Sequence, residues 1–225
     1  MQIGDIVVRK SYSKDITFKI VDIKDSEGET IFVLKGINLR ILADAPSNDL
    51  EVVSKENIGE LDRLFDKKVN TTIKKVLMGR LSLTDKYRGS IIDKNKDSKN
   101  KDLTFGRPGK ILHIDADSEY MNACLKVYKQ LSIDAVGKII PEKDQASSVV
   151  ELIKTLRPDI VVITGHDGMA KGTKDYLDIN NYKNSRYFVE TVAQIRSYEP
   201  DYDDLVIFAG ACQSCYEAIL DAGAN

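Results

Sequence analysis

The first 53 residues show short runs of apolar and β-branched positions that are separated by turn-forming residues. The runs "ITFKIVDI" and "TIFVLKG" alternate apolar with polar side chains over a few positions, a pattern that is typical of half-buried strands. The segments between such runs, for example "KDSEGE" and "APSND", are rich in residues that favour turns. Five runs of this kind predict five short strands that form a small β-barrel over residues 1–53.

From Glu56 to about Leu81 the spacing changes, and apolar positions recur every three and four residues. This spacing predicts an amphipathic helix. The segment from Asp93 to Asp102 is almost entirely charged or amide-bearing, so it has too little apolar surface to fold on its own. Residues 54–107 are therefore predicted to be a helix and a polar linker. Aspartates interrupt the basic run of the linker and no aromatic residues interleave it, which favours a solvated tether over a nucleic-acid site.

Between residues 108 and 225, continuous apolar runs alternate with amphipathic segments. This alternation is typical of a parallel sheet that is covered by helices on both faces. The predicted strands span 110–115, 134–140, 159–164 and 204–210, and the predicted helices span about 117–131, 144–156, 184–197 and from about 213 onward. The whole chain is therefore predicted to be an α/β protein, with an SH3-like β-barrel of recruiting function before a doubly wound parallel-sheet domain.

Composition and charge exclude several classes of protein. Hydrophobic residues make up 42% of the 225 residues, enough for a sizeable core, and the net charge of −2 does not indicate a nucleic-acid or membrane surface. No apolar run reaches the length of about 18 residues that a membrane span requires. The first residues, "MQIGDIVVRK", lack the features of a secretory leader, so we expect a cytoplasmic protein. Three cysteines, an odd number, argue against a disulfide framework.

Two of the predicted strands each deliver a chemically reactive residue to their carboxyl ends. The run "DIVVITGHDGM" ends on His166, and "LVIFAGACQSC" ends on Cys212. Successive parallel strands tend to be neighbours, so we expect the imidazole and the thiol to meet. Cys212 is predicted at a helix amino end, which favours its thiolate, with His166 as its general base. Small residues nearby leave the backbone N–H groups of Cys212, Asp167 and Gly168 as candidate oxyanion donors.

Other interpretations fit parts of the same pattern. A single histidine after a strand is often a hydrogen-bonded turn residue, and the chain could be a non-catalytic flavodoxin-like adaptor module. The "CQSC" segment could be a redox pair or half of a zinc site, but no second Cys or His cluster completes such a site, so we predict neither a metal nor a cofactor. His113 alternates into a strand and is predicted to be a hydrogen-bonded histidine in the interior or near the surface.

The order and spacing of the two residues resemble a known class of peptidase. His166 precedes Cys212 by 46 residues, close to the separation of about 50 residues in caspases. The segments "MQIGDIVVRKSY", "GKILHIDAD", "ITGHDG" and "FAGACQSCYEAILDAGAN" resemble the YabG family of sporulation-specific cysteine proteases, caspase-like peptidases of clan CD. The resemblance covers essentially the whole chain.

Membership of that family implies a cysteine endopeptidase in which Cys212 is the nucleophile and His166 the base. It implies action in the mother-cell cytoplasm of a sporulating bacterium, association with the spore coat, and cleavage of coat and related spore proteins after basic residues, chiefly arginine. It also implies a peptidase domain, here residues 108–225, that is truncated at its carboxyl end. Arg88 and Arg107 would be points of self-cleavage.

An arginine-binding pocket requires an acid. Some arginine-cleaving members of the clan place one two residues before the cysteine, where this chain has Gly210. Asp115, Asp117 and Asp167 are therefore the candidates for pairing with a substrate guanidinium. The first two could equally be helix-capping carboxylates, and Asp167 could orient His166 or face solvent.

Overall fold

The computed structural model describes residues 1–26, 28–92, 109–170 and 172–225, which form two compact units, residues 1–75 and 76–225. Most of the predicted polar linker, with Arg107, lies outside the described residues, and so does the side chain of Arg88.

The first unit is built on a five-stranded antiparallel sheet in the order β4-β3-β2-β1-β5. All five predicted strands are confirmed, whereas the SH3-like assignment stays a prediction. The strands are β1 Ile6–Arg9, β2 Thr17–Ser26, β3 Glu29–Gly36, β4 Leu42–Pro46 and β5 Leu50–Val52, and short 3-10 turns lie at Lys10–Tyr12 and Ser47–Asp49. A register shift between Ile20 and Asp22 bends β2, as a bulge does. Alternate residues of the strands form a separate apolar cluster around Phe18, Ile20 and Leu34.

Helix α1 spans Lys55–Ile92 and extends past its predicted end near Leu81. The physical reason is visible in the sequence, since Leu83, Tyr87 and Ile91 continue the apolar repeat at intervals of four residues. No described helix is both long and apolar enough to cross a membrane.

The second unit contains a four-stranded sheet in the order β7-β6-β8-β9, and every pair of neighbouring strands is parallel, as predicted. Its strands are β6 Ile111–Asp115, β7 Ala135–Ile139, β8 Ile160–Ile163 and β9 Val206–Ala209. The helices are α2 Ser118–Gln130, α3 Glu142–Leu156, α4 Ser185–Tyr198 and α5 Tyr216–Asp221, with a 3-10 turn at Ile179–Asn181. The caspase-like assignment stays a prediction.

Both faces of the parallel sheet carry helices. Leu112 and Ile114 on β6 belong to one apolar cluster with residues of α3 and α4, including Val149 and Phe188. His113 lies between them in the strand, so its side chain points to the opposite face, and there it contacts Tyr128 of α2. The order of strands also confirms that β8 and β9 are neighbours, with Ile163 paired to Ala209. The two loops that carry His166 and Cys212 therefore leave the same edge of the sheet side by side.

Candidate active site

The main chain around His166 is held from two helices. Its N–H donates to Glu142 Oε1 of α3 at 2.6 Å, and its carbonyl oxygen accepts from Asn184 Nδ2, directly before α4, at 2.6 Å. Gly165 leaves room for this arrangement, because a Cβ atom at that position would lie 2.6 Å from the side chain of Glu142. The loop after β8 thus has one defined path.

The imidazole of His166 is oriented by α2. Nε2 lies 3.0 Å from Oδ2 of Asp117, and the ring of Tyr120 meets the imidazole edge-on at 5.9 Å between centroids. A carboxylate oxygen accepts hydrogen bonds, so Nε2 carries the proton in this contact. The histidine side chain is 27% exposed and the aspartate side chain 14%, which leaves the site reachable yet partly shielded from water.

Asp117 divides its two carboxylate oxygens between two tasks. Oδ1 caps α2 by accepting from the N–H groups of Glu119, at 2.9 Å, and Tyr120, at 3.3 Å, while Oδ2 faces His166. The capping role that the sequence allowed for Asp117 is confirmed. The contact with the imidazole was not predicted.

Cys212 lies in an exposed turn after β9, and the prediction that it lies at a helix amino end is wrong. Helix α5 begins at Tyr216, and Cys215 is its capping position. The helix does not extend back to Cys212, because the ψ of Cys215 is 84°, outside the helical range. In the turn, Ala211 N–H donates to Ser214 Oγ at 2.9 Å, and Cys215 N–H to Ser185 Oγ at 2.8 Å. A helix dipole is therefore not available to favour the thiolate of Cys212.

Tyr216 packs beside this turn. Its hydroxyl donates to the carbonyl oxygen of Ala211. Burial raises the pKa of this phenol, and the nearby Cys212 and Asp167 raise it further. The phenol consequently stays protonated at neutral pH and acts as a donor that shapes the turn.

Asp167 joins the two loops. Its Oδ1 accepts from the N–H groups of Gly168 and Asn184, both at 2.8 Å, and its Oδ2 accepts from Ser185 Oγ at 2.5 Å and Ser214 Oγ at 3.1 Å. Asp167 directly follows His166, and Ser214 comes two residues after Cys212. One carboxylate therefore connects the histidine loop, the start of α4 and the cysteine turn.

Asp115 lies beneath the site and is fully buried. Its Oδ1 accepts from the N–H of Asp117 at 2.7 Å, and its Oδ2 accepts from Thr164 Oγ1 at 2.5 Å. Its carboxylate is therefore engaged in hydrogen bonds within the interior.

The same interior network provides hydrogen-bond partners for both ring nitrogens of His113. Since Thr164 donates to Asp115, its hydroxyl oxygen accepts from His113 Nε2 at 2.8 Å. His113 Nδ1 in turn accepts from the hydroxyl of Tyr128 at 3.1 Å, and burial raises the pKa of that phenol to about 12, so it remains a donor. The prediction of a hydrogen-bonded histidine is confirmed.

The two cysteines of "CQSC" have different environments. Cys212 is exposed, whereas Cys215 is fully buried with its Sγ 3.8 Å and 3.7 Å from the carbonyl oxygens of Tyr176 and Leu177. No disulfide joins the three cysteines, all of which lie in the described part of the chain. An exposed thiol beside a buried one favours separate roles for the two.

A cavity of about 400 Å³ borders the cysteine turn. The 169–183 segment and the turn line it together, through Met169, Ala170, Gly172, Thr173, Tyr176, Tyr182, Gln213 and Ser214. One of the lining residues, Gln213, directly follows Cys212 in the chain. The cavity is large enough to hold a side chain of a bound peptide.

Sequence reasoning missed the residues that hold the site. Glu142, Asn184, Ser185 and Ser214 all act through hydrogen bonds between elements that are distant in sequence. One signal was available: helices that follow the strands of a parallel sheet begin near the carboxyl edge, so polar residues at their amino ends are candidates for the site.

Comparison with known proteins agrees with the resemblance seen in the sequence. The family model described as YabG peptidase U57 matches residues 2–225. The chain is 38% identical over 225 residues to the sporulation-specific protease YabG of Bacillus subtilis (strain 168), an alignment that covers 100% of this chain and 77% of the relative.

Proposed function

Since the chain belongs to the YabG peptidase U57 family of sporulation proteases, we propose that it cleaves peptide bonds with Cys212 as nucleophile and His166 as general base. The hydrogen bond from Ser214 Oγ to Asp167 Oδ2 carries this proposal, because it ties the loop of the histidine to the turn of the cysteine. Parallel pairing of β8 with β9 supports it independently.

The proposed reaction proceeds through a thioester. His166 Nδ1 takes the proton of the Cys212 thiol, and the sulfur attacks the carbonyl carbon of the scissile peptide bond. The imidazolium then donates its proton to the leaving amine as the C–N bond breaks. Water, deprotonated by the same imidazole, attacks the thioester, which releases the carboxylate product and the free thiol.

Backbone N–H groups are the proposed oxyanion donors. Those of Asp167 and Cys212 lie on the two loops that meet at the site. The N–H of Gly168, the third candidate, donates to Asp167 Oδ1, so it would first have to leave that carboxylate. We therefore favour Asp167 and Cys212.

We further propose that the substrates are spore-coat and related spore proteins and that cleavage follows a basic residue, chiefly arginine. Of the three acids considered for the arginine pocket, Asp115 is buried, Asp117 faces His166, and Asp167 accepts four hydrogen bonds. These contacts support positioning roles for the three carboxylates. The place of action proposed for the enzyme is the mother cell, at the spore coat.

The nucleophile is tested with Cys212→Ala, with Cys124→Ala as the matched control. We expect Cys212→Ala to lower kcat/KM on an arginyl peptide and on a purified coat protein by about 10³-fold or more, since the covalent step is lost. Cys124→Ala should retain wild-type activity, because Cys124 lies on α2 and is not part of the cysteine turn. Peptides with leucine in place of arginine measure the preference for a basic residue.

Iodoacetamide labelling separates the protease from the adaptor interpretation. A paired thiol at Cys212 should react faster than an ordinary exposed thiol at neutral pH, and His166→Ala should remove that advantage. Full activity of Cys212→Ala would refute the proposed nucleophile. Labelling of Cys212 at the rate of a model thiol, without measurable hydrolysis, would favour the adaptor.

A further inference from the structure

We propose that Asp117 is a positioning residue of the reaction: it holds the imidazole of His166 in the Nε2–H tautomer, so that the Nδ1 lone pair faces the thiol of Cys212. The inference rests on the proposed function and extends it, because a Cys–His pair alone does not determine which ring nitrogen receives the proton. The inference is based on the contact of 3.0 Å between His166 Nε2 and Asp117 Oδ2.

Asp117 is fixed independently of the histidine. Its N–H donates to Oδ1 of Asp115, a fully buried carboxylate that Thr164 also binds. Its own Oδ1 is committed to the first turn of α2. The oxygen that faces His166 is therefore held from below by β6 and from the side by α2, before any substrate binds.

The carboxylate has two physical effects on the imidazole. As an acceptor it binds the protonated nitrogen, which fixes the tautomer and the orientation of the ring. As an anion it stabilises the imidazolium that forms when the thiol loses its proton. Two further titratable groups contact His166: Tyr120 on α2 meets the ring, and Glu142 on α3 accepts from the main-chain N–H; Asp167 follows His166 in sequence.

The variant Asp117→Asn tests the proposal with little change to the fold. Asparagine caps helices as well as aspartate does, so α2 keeps its cap while the charge is removed. We expect kcat/KM on an arginyl peptide to fall between about 10-fold and 10³-fold, part of the contribution of general acid–base catalysis. The matched control is Asp201→Asn, whose carboxylate caps Asp203 N at 2.8 Å in the turn before the amino end of β9. It should keep wild-type kcat/KM.

Nuclear magnetic resonance gives a measurement that would not change if Asp117 had only a structural role. The chain has two histidines, and the ring signals of buried His113 serve as an internal reference for those of His166. In Asp117→Asn the preference of His166 for the Nε2–H tautomer should be lost, because the side-chain oxygen stays with the cap of α2 and the amide nitrogen, a donor, then faces the ring. In the unaltered protein, ¹⁵N shifts should show His166 as the Nε2–H tautomer, a measurement that needs no variant to fold.

The outcomes separate this inference from the proposed function. If Cys212→Ala is inactive while Asp117→Asn keeps wild-type kcat/KM and unchanged ¹⁵N shifts of His166, Asp117 is not a positioning residue and the proposed nucleophile stands. A wild-type His166 in the Nδ1–H tautomer would also overturn the inference. Activity in Cys212→Ala would instead refute the proposed function itself.

Discussion

Asp167 shows how much one side chain contributes to this site. Its neighbour His166 and the cysteine turn follow different strands, and one of the four hydrogen bonds to the Asp167 carboxylate, from Ser214 Oγ, links them. Three of the four partners lie 17 or more residues away in sequence. Proximity in sequence therefore accounts for one of these bonds, and the fold accounts for the rest.

The residue-scale prediction is that Asp167→Asn weakens both activity and folding. Asparagine has one acceptor oxygen where aspartate has two. The hydroxyl or N–H groups that donate to the replaced oxygen therefore lose their acceptor. We expect a loss of about 1–3 kcal/mol in the free energy of unfolding and at least about a 10-fold loss in kcat/KM. Urea denaturation and peptide hydrolysis measure the two effects.

Asp175→Asn is the matched control, because the side chain of that exposed aspartate accepts a hydrogen bond from the main-chain N–H of Leu177 at 3.0 Å. It should change neither quantity. An Asp167→Asn protein that unfolds and turns over like the wild type would show that the two loops hold together without the carboxylate.

Arg196 connects several segments at the amino edge of the parallel sheet, opposite the edge that carries His166 and Cys212. From α4 its guanidinium donates to the carbonyl oxygens of Gly223 at 2.7 Å and Leu205 at 2.9 Å, and to Asn225 Oδ1 at 2.8 Å. Asn225 Oδ1 also accepts from the N–H of Ile207 in β9. The planar fork of arginine reaches these acceptors together, which the single ammonium of lysine does not.

The element-scale prediction is that Arg196→Lys destabilises the fold by about 2–4 kcal/mol, since several charge-assisted hydrogen bonds are lost at once. Activity measured where the protein is fully folded should be unchanged, because the active site lies at the other end of the strands. Arg186→Lys, on the exposed first turn of α4, is the control and should change stability by less than about 0.5 kcal/mol. A stable Arg196→Lys protein with reduced activity would contradict this reasoning.

At the scale of the whole molecule, each unit has a hydrophobic core of its own. The apolar cluster of the first unit consists of residues between Val7 and Leu50, and that of the second consists of residues from Leu112 onward. Residues 1–53 can therefore be removed without taking apolar side chains from the core beneath the active site. The role of residues 1–53 can therefore be tested by removing them.

We predict that removal of residues 1–53 impairs cleavage of a coat protein more than hydrolysis of a short arginyl peptide, because a recruiting module acts on large substrates. The measurement is the ratio of kcat/KM for the two substrates, before and after removal. Thermal unfolding of the shortened chain verifies that the remaining core is intact. Equal losses on both substrates would contradict a docking role.

The spacing of apolar residues alone determined the order and type of nearly all elements. Apolar side chains recur at every second residue in a strand and at every third or fourth residue in a helix, as the geometry of each requires. It also predicted that His166 and Cys212 follow neighbouring strands, because successive parallel strands tend to pair, and the pairing of β8 with β9 confirms this. The start of α5 was mispredicted because the backbone of Cys215 has a non-helical ψ of 84°, in a turn held by hydrogen bonds to Ser214 and Ser185.

Tertiary structure decided the roles of the carboxylates. In the sequence, Asp115, Asp117 and Asp167 are three similar acids near strand ends; in the fold, one is buried, one faces the imidazole and one links two loops. Burial and the direction of a carboxylate depend on neighbours that come from distant parts of the chain. A local pattern therefore predicts which elements form and where they end, while the three-dimensional arrangement of their ends decides what each polar side chain does.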